Sequence, residues 1–171
     1  AVFSGVPLRS VADDLELNQA QFLSSSYPAI TLVGASMTAS ELICQATSNT
    51  PTCIDLKYGA QGTIRDAVFD LSQGSAATTA IKMRNNGLAT EIASMPSMIV
   101  QDAHFKGKTG SDGAATNFFL DVPGATDANS SDGNGYAFAL LNSVVDSRGT
   151  PSNSGTSPGD ATSSLTSFGP T

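Results

Sequence analysis

ELICQATSNTPTCIDLKY, residues 41–58, sets two apolar runs on either side of a polar, turn-forming stretch that begins at Cys44 and ends at Cys53. These are the only two cysteines. The segment between them holds no His, Asp or Glu, and two thiols alone cannot satisfy a tetrahedral zinc ion. A disulfide closing the polar loop accounts for both residues and implies an oxidising compartment. A ring this small adds roughly 2.5 kcal/mol on the loop-entropy estimate. The alternative is a pair of buried free thiols in a cytosolic protein. With the loop tied, Glu41–Ala46 and Cys53–Tyr58 read as the arms of a hairpin.

Outward from this hairpin the chain reads as short strands. Ala29–Met37 is a short apolar run. Thr63–Leu71 alternates, with Ile64 and Val68 on one face and Ala67, Phe69 and Leu71 on the other. Ala80–Arg84 points Ile81 and Met83 inward and Lys82 and Arg84 outward. Asn85-Asn86-Gly87 is a turn signal, because Asn and Gly tolerate positive φ. Met98–Phe105, Asn117–Val122 and Tyr136–Val145 supply three further apolar segments. Upstream, Ser10 can cap a helix over Val11–Leu23, with Asp13 and Asp14 in its first turn and Val11, Leu15, Phe22 and Leu23 near one face.

This pattern predicts a mainly β fold: an antiparallel β-sandwich or barrel-like domain with one short N-terminal helix. The alternative is α+β, a helix packed on an antiparallel sheet. A doubly wound α/β fold would need several long amphipathic helices. In organisation, residues 1–10 read as an apolar N-terminal arm and residues 11–146 as one β-rich domain. Residues 147–171 form a tail rich in Ser, Gly and Pro, disordered on composition unless its own domain or a neighbouring subunit orders it.

Composition narrows the function. A chain of 171 residues suffices for one domain that buries roughly 70% of its unfolded surface. Charged residues are 13%, against about 25% in an average soluble protein. The net charge of −7 argues against nucleic-acid binding, which needs a basic face to displace counterions, and against anionic membrane surfaces. No apolar run reaches the length of a membrane span. The start at Ala1, without Met, fits a mature form whose export signal has been removed, and fits a trimmed chain equally well.

Catalytic signatures are thin. His104 is the only histidine; on a strand it would share a face with Asp102, but no Gly-x-Ser-x-Gly elbow supplies a nucleophile. Gly34-Ala35-Ser36-Met37 lacks the second glycine, and Gly107-Lys108-Thr109 lacks the glycine that opens a P-loop. Asp66 and Asp70 could share a strand face, with Glu41 or Glu91 joining from elsewhere, but nothing in the sequence assembles them into the carboxylate pair of a glycosidase. Such a hydrolase is the third reading. Asp127, Asn129, Ser131, Asp132 and Asn134 place side-chain oxygens near the alternate positions of a calcium loop. Its glycine, Gly133, comes one residue late, and Phe138 stands where a bidentate Glu belongs. Asp112-Gly113 marks a thinner acidic loop, and Asn129-Ser130-Ser131 is a glycosylation sequon. Turn-making alone also explains these residues.

The expectation is therefore a non-catalytic structural subunit with no cofactor, forming a homo-oligomer or polymer at the cell surface or outside the cell: a filament, pilus-like fibre or virion shell. The apolar arm would join subunits by strand addition, with Val2, Phe3, Val6 and Leu8 filling pockets in the next copy. The competing expectation is a secreted β-sandwich module that binds a glycan or surface ligand, with a structural calcium ion.

Overall fold

Strands on successive turns of this chain lie in register with one another, all parallel, and the register itself gives the architecture. Val2 pairs with Gln21, Gln21 with Ile43, Ile43 with Val68, Val68 with His104 and His104 with Val144, so the steps are 19, 22, 25, 36 and 40 residues. A chain that returns beside itself in parallel at every turn is a solenoid. The computed structural model describes residues 1–23, 26–47, 50–74, 78–84, 96–107, 118–121 and 137–146. Thirteen strands are formed there: β1 (Val2–Ser4), β2 (Leu8–Val11), β3 (Asp14–Asn18), β4 (Gln21–Leu23), β5 (Ile30–Val33), β6 (Ser36–Gln45), β7 (Thr52–Lys57), β8 (Gln61–Asp70), β9 (Thr79–Arg84), β10 (Ser97–Lys106), β11 (Phe118–Asp121), β12 (Ala137–Leu141) and β13 (Val144–Asp146).

They form two sheets. One runs β1-β4-β6-β8-β10-β12, with β3 also on β6 and β13 also on β10; the other runs β11-β9-β7-β5-β2. The expected antiparallel sandwich or barrel is thus incorrect: every strand pair is parallel and neither sheet closes on itself. The helix expected over Val11–Leu23 is incorrect too, and so is the α+β alternative, since no helix occurs among the described residues. That stretch is the end of β2, then β3 and β4. The hairpin reading of 41–58 also fails, because β6 and β7 belong to different sheets and do not pair.

Left-handed residues explain why alternation misled. β6, β8 and β10 each carry a single residue at positive φ in mid-strand: Glu41 at 52°, Asp66 at 53° and Asp102 at 54°. One such residue resets the alternation. Ile64 therefore points inward together with Ala67 and Phe69, while Val68 is turned to the other face and half-exposed. Gln19 and Asn142 occupy the same place between β3 and β4 and between β12 and β13, so all five residues form one column. Ala12, Gly34 and Tyr58 form a second such column, where the smaller sheet turns into the larger.

Inside, like side chains stack on like. Ile30, Ile54 and Ile81 are consecutive register partners, as are Leu32, Leu56 and Met83, and all six are buried. Phe3, Phe22, Cys44, Phe69 and Phe105 make the corresponding column in the larger sheet. Each fully buried large apolar side chain contributes about 1.5–3 kcal/mol. Gly62 stands between Met37 and Met98; a Cβ there would lie 2.7 Å from Met98 Sδ and Cε, so the glycine makes room for the methionine.

Candidate functional site

The cysteines are joined, as expected. Cys44 and Cys53 form a disulfide within one chain, with Cα atoms 6.1 Å apart and both side chains buried. Cys44 lies in the second half of β6 and Cys53 in β7, so the bond ties the larger sheet to the smaller. Thr47 and Thr50, which lie between the cysteines in sequence, are bonded as well. The Thr50 amide donates to Thr47 O at 2.9 Å, and the buried Thr78 hydroxyl donates to Thr50 O at 2.9 Å.

Val2, Phe3, Val6 and Leu8 belong to the first turn of the solenoid. Val2 and Val6 are exposed at 64% and 58%, whereas Phe3 and Leu8 are half-buried against the core. The Phe3 ring stacks on Phe22 with centroids 4.6 Å apart. Backbone bonds from Gly5 N to Leu23 O, Leu8 N to Ala29 O, Ala12 N to Val33 O and Gln19 N to Ser40 O tie this turn to the next. In a parallel pair a residue turns both its backbone groups to the same neighbour, and alternate residues turn away. The backbone groups of Val2, Ser4, Arg9, Val11, Glu16 and Asn18 therefore face away from the solenoid. Among the described residues no strand pairs with these edges of β1, β2 and β3.

The column at the bend of the larger sheet gathers acidic residues that the sequence leaves scattered. Glu41, Asp66 and Asp102 sit on consecutive turns, about 4.8 Å apart along the axis. Amides close both ends: Gln19 Nε2 donates to Glu41 Oε2 at 3.0 Å, and Asn142 Nδ2 donates to Asp102 Oδ1. The Asp66 carboxylate, exposed in the middle, has no hydrogen-bond or ion-pair partner among the described residues. Beside the column runs a groove of about 350 Å³, with Val2, Ile43 and Val68 on one side and Gln19, Glu41 and Asp66 on the other. Asp102 does not bond His104, because the left-handed turn at 102 removes it from the regular alternation that would have put the two on one face. Asp70 is apart from this column and accepts from the Ser72 amide at 3.1 Å and the Ser72 hydroxyl at 2.6 Å.

One charged residue escaped the sequence reading. Asp55, between the buried Ile54 and Leu56, is itself 0% exposed, and Lys57 Nζ reaches its Oδ2 at 3.2 Å. The signal was available as an acid inside an apolar run with a lysine two residues on.

The calcium-loop residues Asp127, Asn129, Ser131, Asp132 and Asn134 lie outside the described residues, as do Asp112, Glu91 and the sequon. Among the described residues no three His, Cys, Asp or Glu side chains converge to hold a metal ion. No helix there is long and apolar enough to cross a membrane. No family model, curated protein or solved structure matches the chain.

Proposed function

We propose that the protein is a non-catalytic structural subunit of an extracellular assembly, such as a filament, pilus-like fibre or virion shell, in which a neighbouring copy adds strands to the first turn of the solenoid. The observation that carries this reading is the edge of β1, β2 and β3 that no described strand pairs with, with the half-buried Phe3, Leu8 and Leu15 beside it. Exposed strand edges are templates for pairing with another chain. Here three edges and the end of the apolar core are offered together, so a second copy would bond backbones and cover side chains in one step. The buried disulfide fits an oxidising, extracellular setting.

The strand-addition step has a direct test. Arg9 is exposed in the middle of β2, and its N–H faces the edge away from β5, so Arg9→Pro removes a donor that no described strand accepts. The variant is expected to keep the circular dichroism spectrum and the melting temperature of the parent while losing assembly in light scattering. Unchanged assembly of Arg9→Pro would reject strand addition at this edge.

A further inference from the structure

The two ends of the solenoid differ in shape. At the last turn β11, β12 and β13 lie at one level, and among the described residues no strand pairs with their far edges. At the first turn β2, β3 and β4 lie at one level, but β4 is covered by β1, which stands one strand further out. A flush end and a stepped end cannot meet along their whole length. With β1 in place, β13 of a second copy would reach β1 while β2 and β3 stayed one strand spacing, about 4.8 Å, short of contact. Without β1 both ends are flush.

The register then continues from one end to the other. The columns that start at Asp14–Asn18 in β3 finish at Ala137–Leu141 in β12, five residues to five, and those that start at Gln21–Leu23 in β4 finish at Val144–Asp146 in β13, three to three. Repeated between copies, this register sets Phe138 on Leu15 and Leu140 on Leu17, and three of these four are side chains only partly buried against the core. Ala137 and Ala139 meet Asp14 and Glu16, and Asn142 meets Gln19. In the smaller sheet Leu120 falls on Leu8 and Asp121 on Arg9, an acid opposite a base. At no paired position do like charges face each other.

We propose that copies of this chain stack head to tail, the last turn of one on the first turn of the next, and that β1 is a cap displaced by β13 of the incoming copy. This rests on the proposed function and adds the partner surface and the step that admits it. Val2–Ser4 and Val144–Asp146 compete for the same three residues of β4. The exchange replaces one three-residue parallel ladder with another, whereas the β12–β3 and β11–β2 pairs are new, so the stack gains backbone bonds overall. β1 is built to leave. It is three residues long, Val2 is exposed, and Gly5, at φ 69°, joins it to β2 through Val6 and Pro7. The Phe3–Phe22 ring stack and the bonds from Gln21 N to Ala1 O and from Gly5 N to Leu23 O, both 2.8 Å, hold it down.

Phe3→Asp loosens the cap and leaves all the mating strands unchanged. Light scattering against concentration is expected to show its assembly threshold at least about tenfold below that of the parent. An unchanged or raised threshold overturns the cap. Hydrogen–deuterium exchange of the parent chain, dispersed and assembled, reads the displacement without any variant. Residues 8–18 and 137–141 are expected to gain protection on assembly while residues 1–4 lose it, and protection gained at 1–4 overturns the exchange. The end-to-end pairing has its own test. Arg9→Asp and Asp121→Arg each set like charges together and should each raise the threshold several-fold, whereas an equimolar mixture of the two should restore it. A mixture no better than either variant alone rejects head-to-tail contact. Parent and Phe3→Asp both monomeric at every concentration reject the assembly reading and the cap with it. Parent particles that Arg9→Pro abolishes and Phe3→Asp does not favour reject the cap alone.

Discussion

The two stacked phenylalanine pairs of the larger sheet have almost the same geometry and different surroundings. Phe3 and Phe22 are inclined by 7°, Phe69 and Phe105 by 5°. Phe69 is 0% exposed, packed in register between Cys44 and Phe105. Phe3 is half-buried and, among the described residues, has a register partner on one side only, Phe22. The difference teaches that the column chemistry is uniform along the axis while its energetic value depends on whether a turn has neighbours on both sides. The first turn is built like the middle ones and, among the described residues, is paired on one side only.

Breaking the middle should cost most. Phe69→Ala is expected to lower stability by about 4 kcal/mol, as large aromatic deletions in closed cores do, while Phe3→Ala should cost about 1–2 kcal/mol because its site can admit water. Urea denaturation of the two variants checks the ratio, and equal losses would remove the distinction between the two regions. Next comes the buried charge of the middle turns. Lys57→Met leaves the Asp55 carboxylate inside without that cation and should cost about 3 kcal/mol. Gln19→Ala, which removes the exposed bond to Glu41 near the first turn, should cost less than about 1 kcal/mol in the same assay.

Packing within the middle turns gives a smaller step. Gly62→Val drives its side chain into the buried Met98 and should cost about 2 kcal/mol; Gly62→Ala should cost less, because the clashing atoms are the movable end of the methionine. A thermal melt of either variant that matched the parent would show the middle core to be looser than its burial implies. The smallest expected effect has the opposite sign. Asp66→Asn removes the central member of three like charges and keeps a residue type that accepts a left-handed backbone. A gain of a few tenths of a kcal/mol is expected, fading as salt is added. A loss of stability would mean that Asp66 engages a favourable partner.

Much of the local structure was legible in the sequence, and little of its arrangement was. Ile81 and Met83 point inward as their alternation requires, and the two cysteines are bonded. The direction of pairing was not legible, because one-sided alternation looks the same in parallel and antiparallel strands. Repeats would have revealed the solenoid, but its turns grow from 19 to 40 residues, so no fixed period exists to be found. The false helix has a specific origin. Left-handed residues at Ala12 and Gln19 interrupt the two-residue alternation, and the resulting spacing of Val11, Leu15 and Phe22 imitates a helical face. The acidic column was hidden for a related reason: Glu41, Asp66 and Asp102 are 25 and 36 residues apart and meet only because the register joins them. Phenylalanines at 3, 22, 69 and 105 and isoleucines at 30, 54 and 81 were the signal that could have been followed.

The solution mass of the native oxidised protein, measured by light scattering with negative-stain microscopy of the same sample, tests the central claim most directly. Large, regular particles that vanish in Arg9→Pro are the predicted result. A monodisperse species at 17.4 kDa across the accessible concentration range would contradict it.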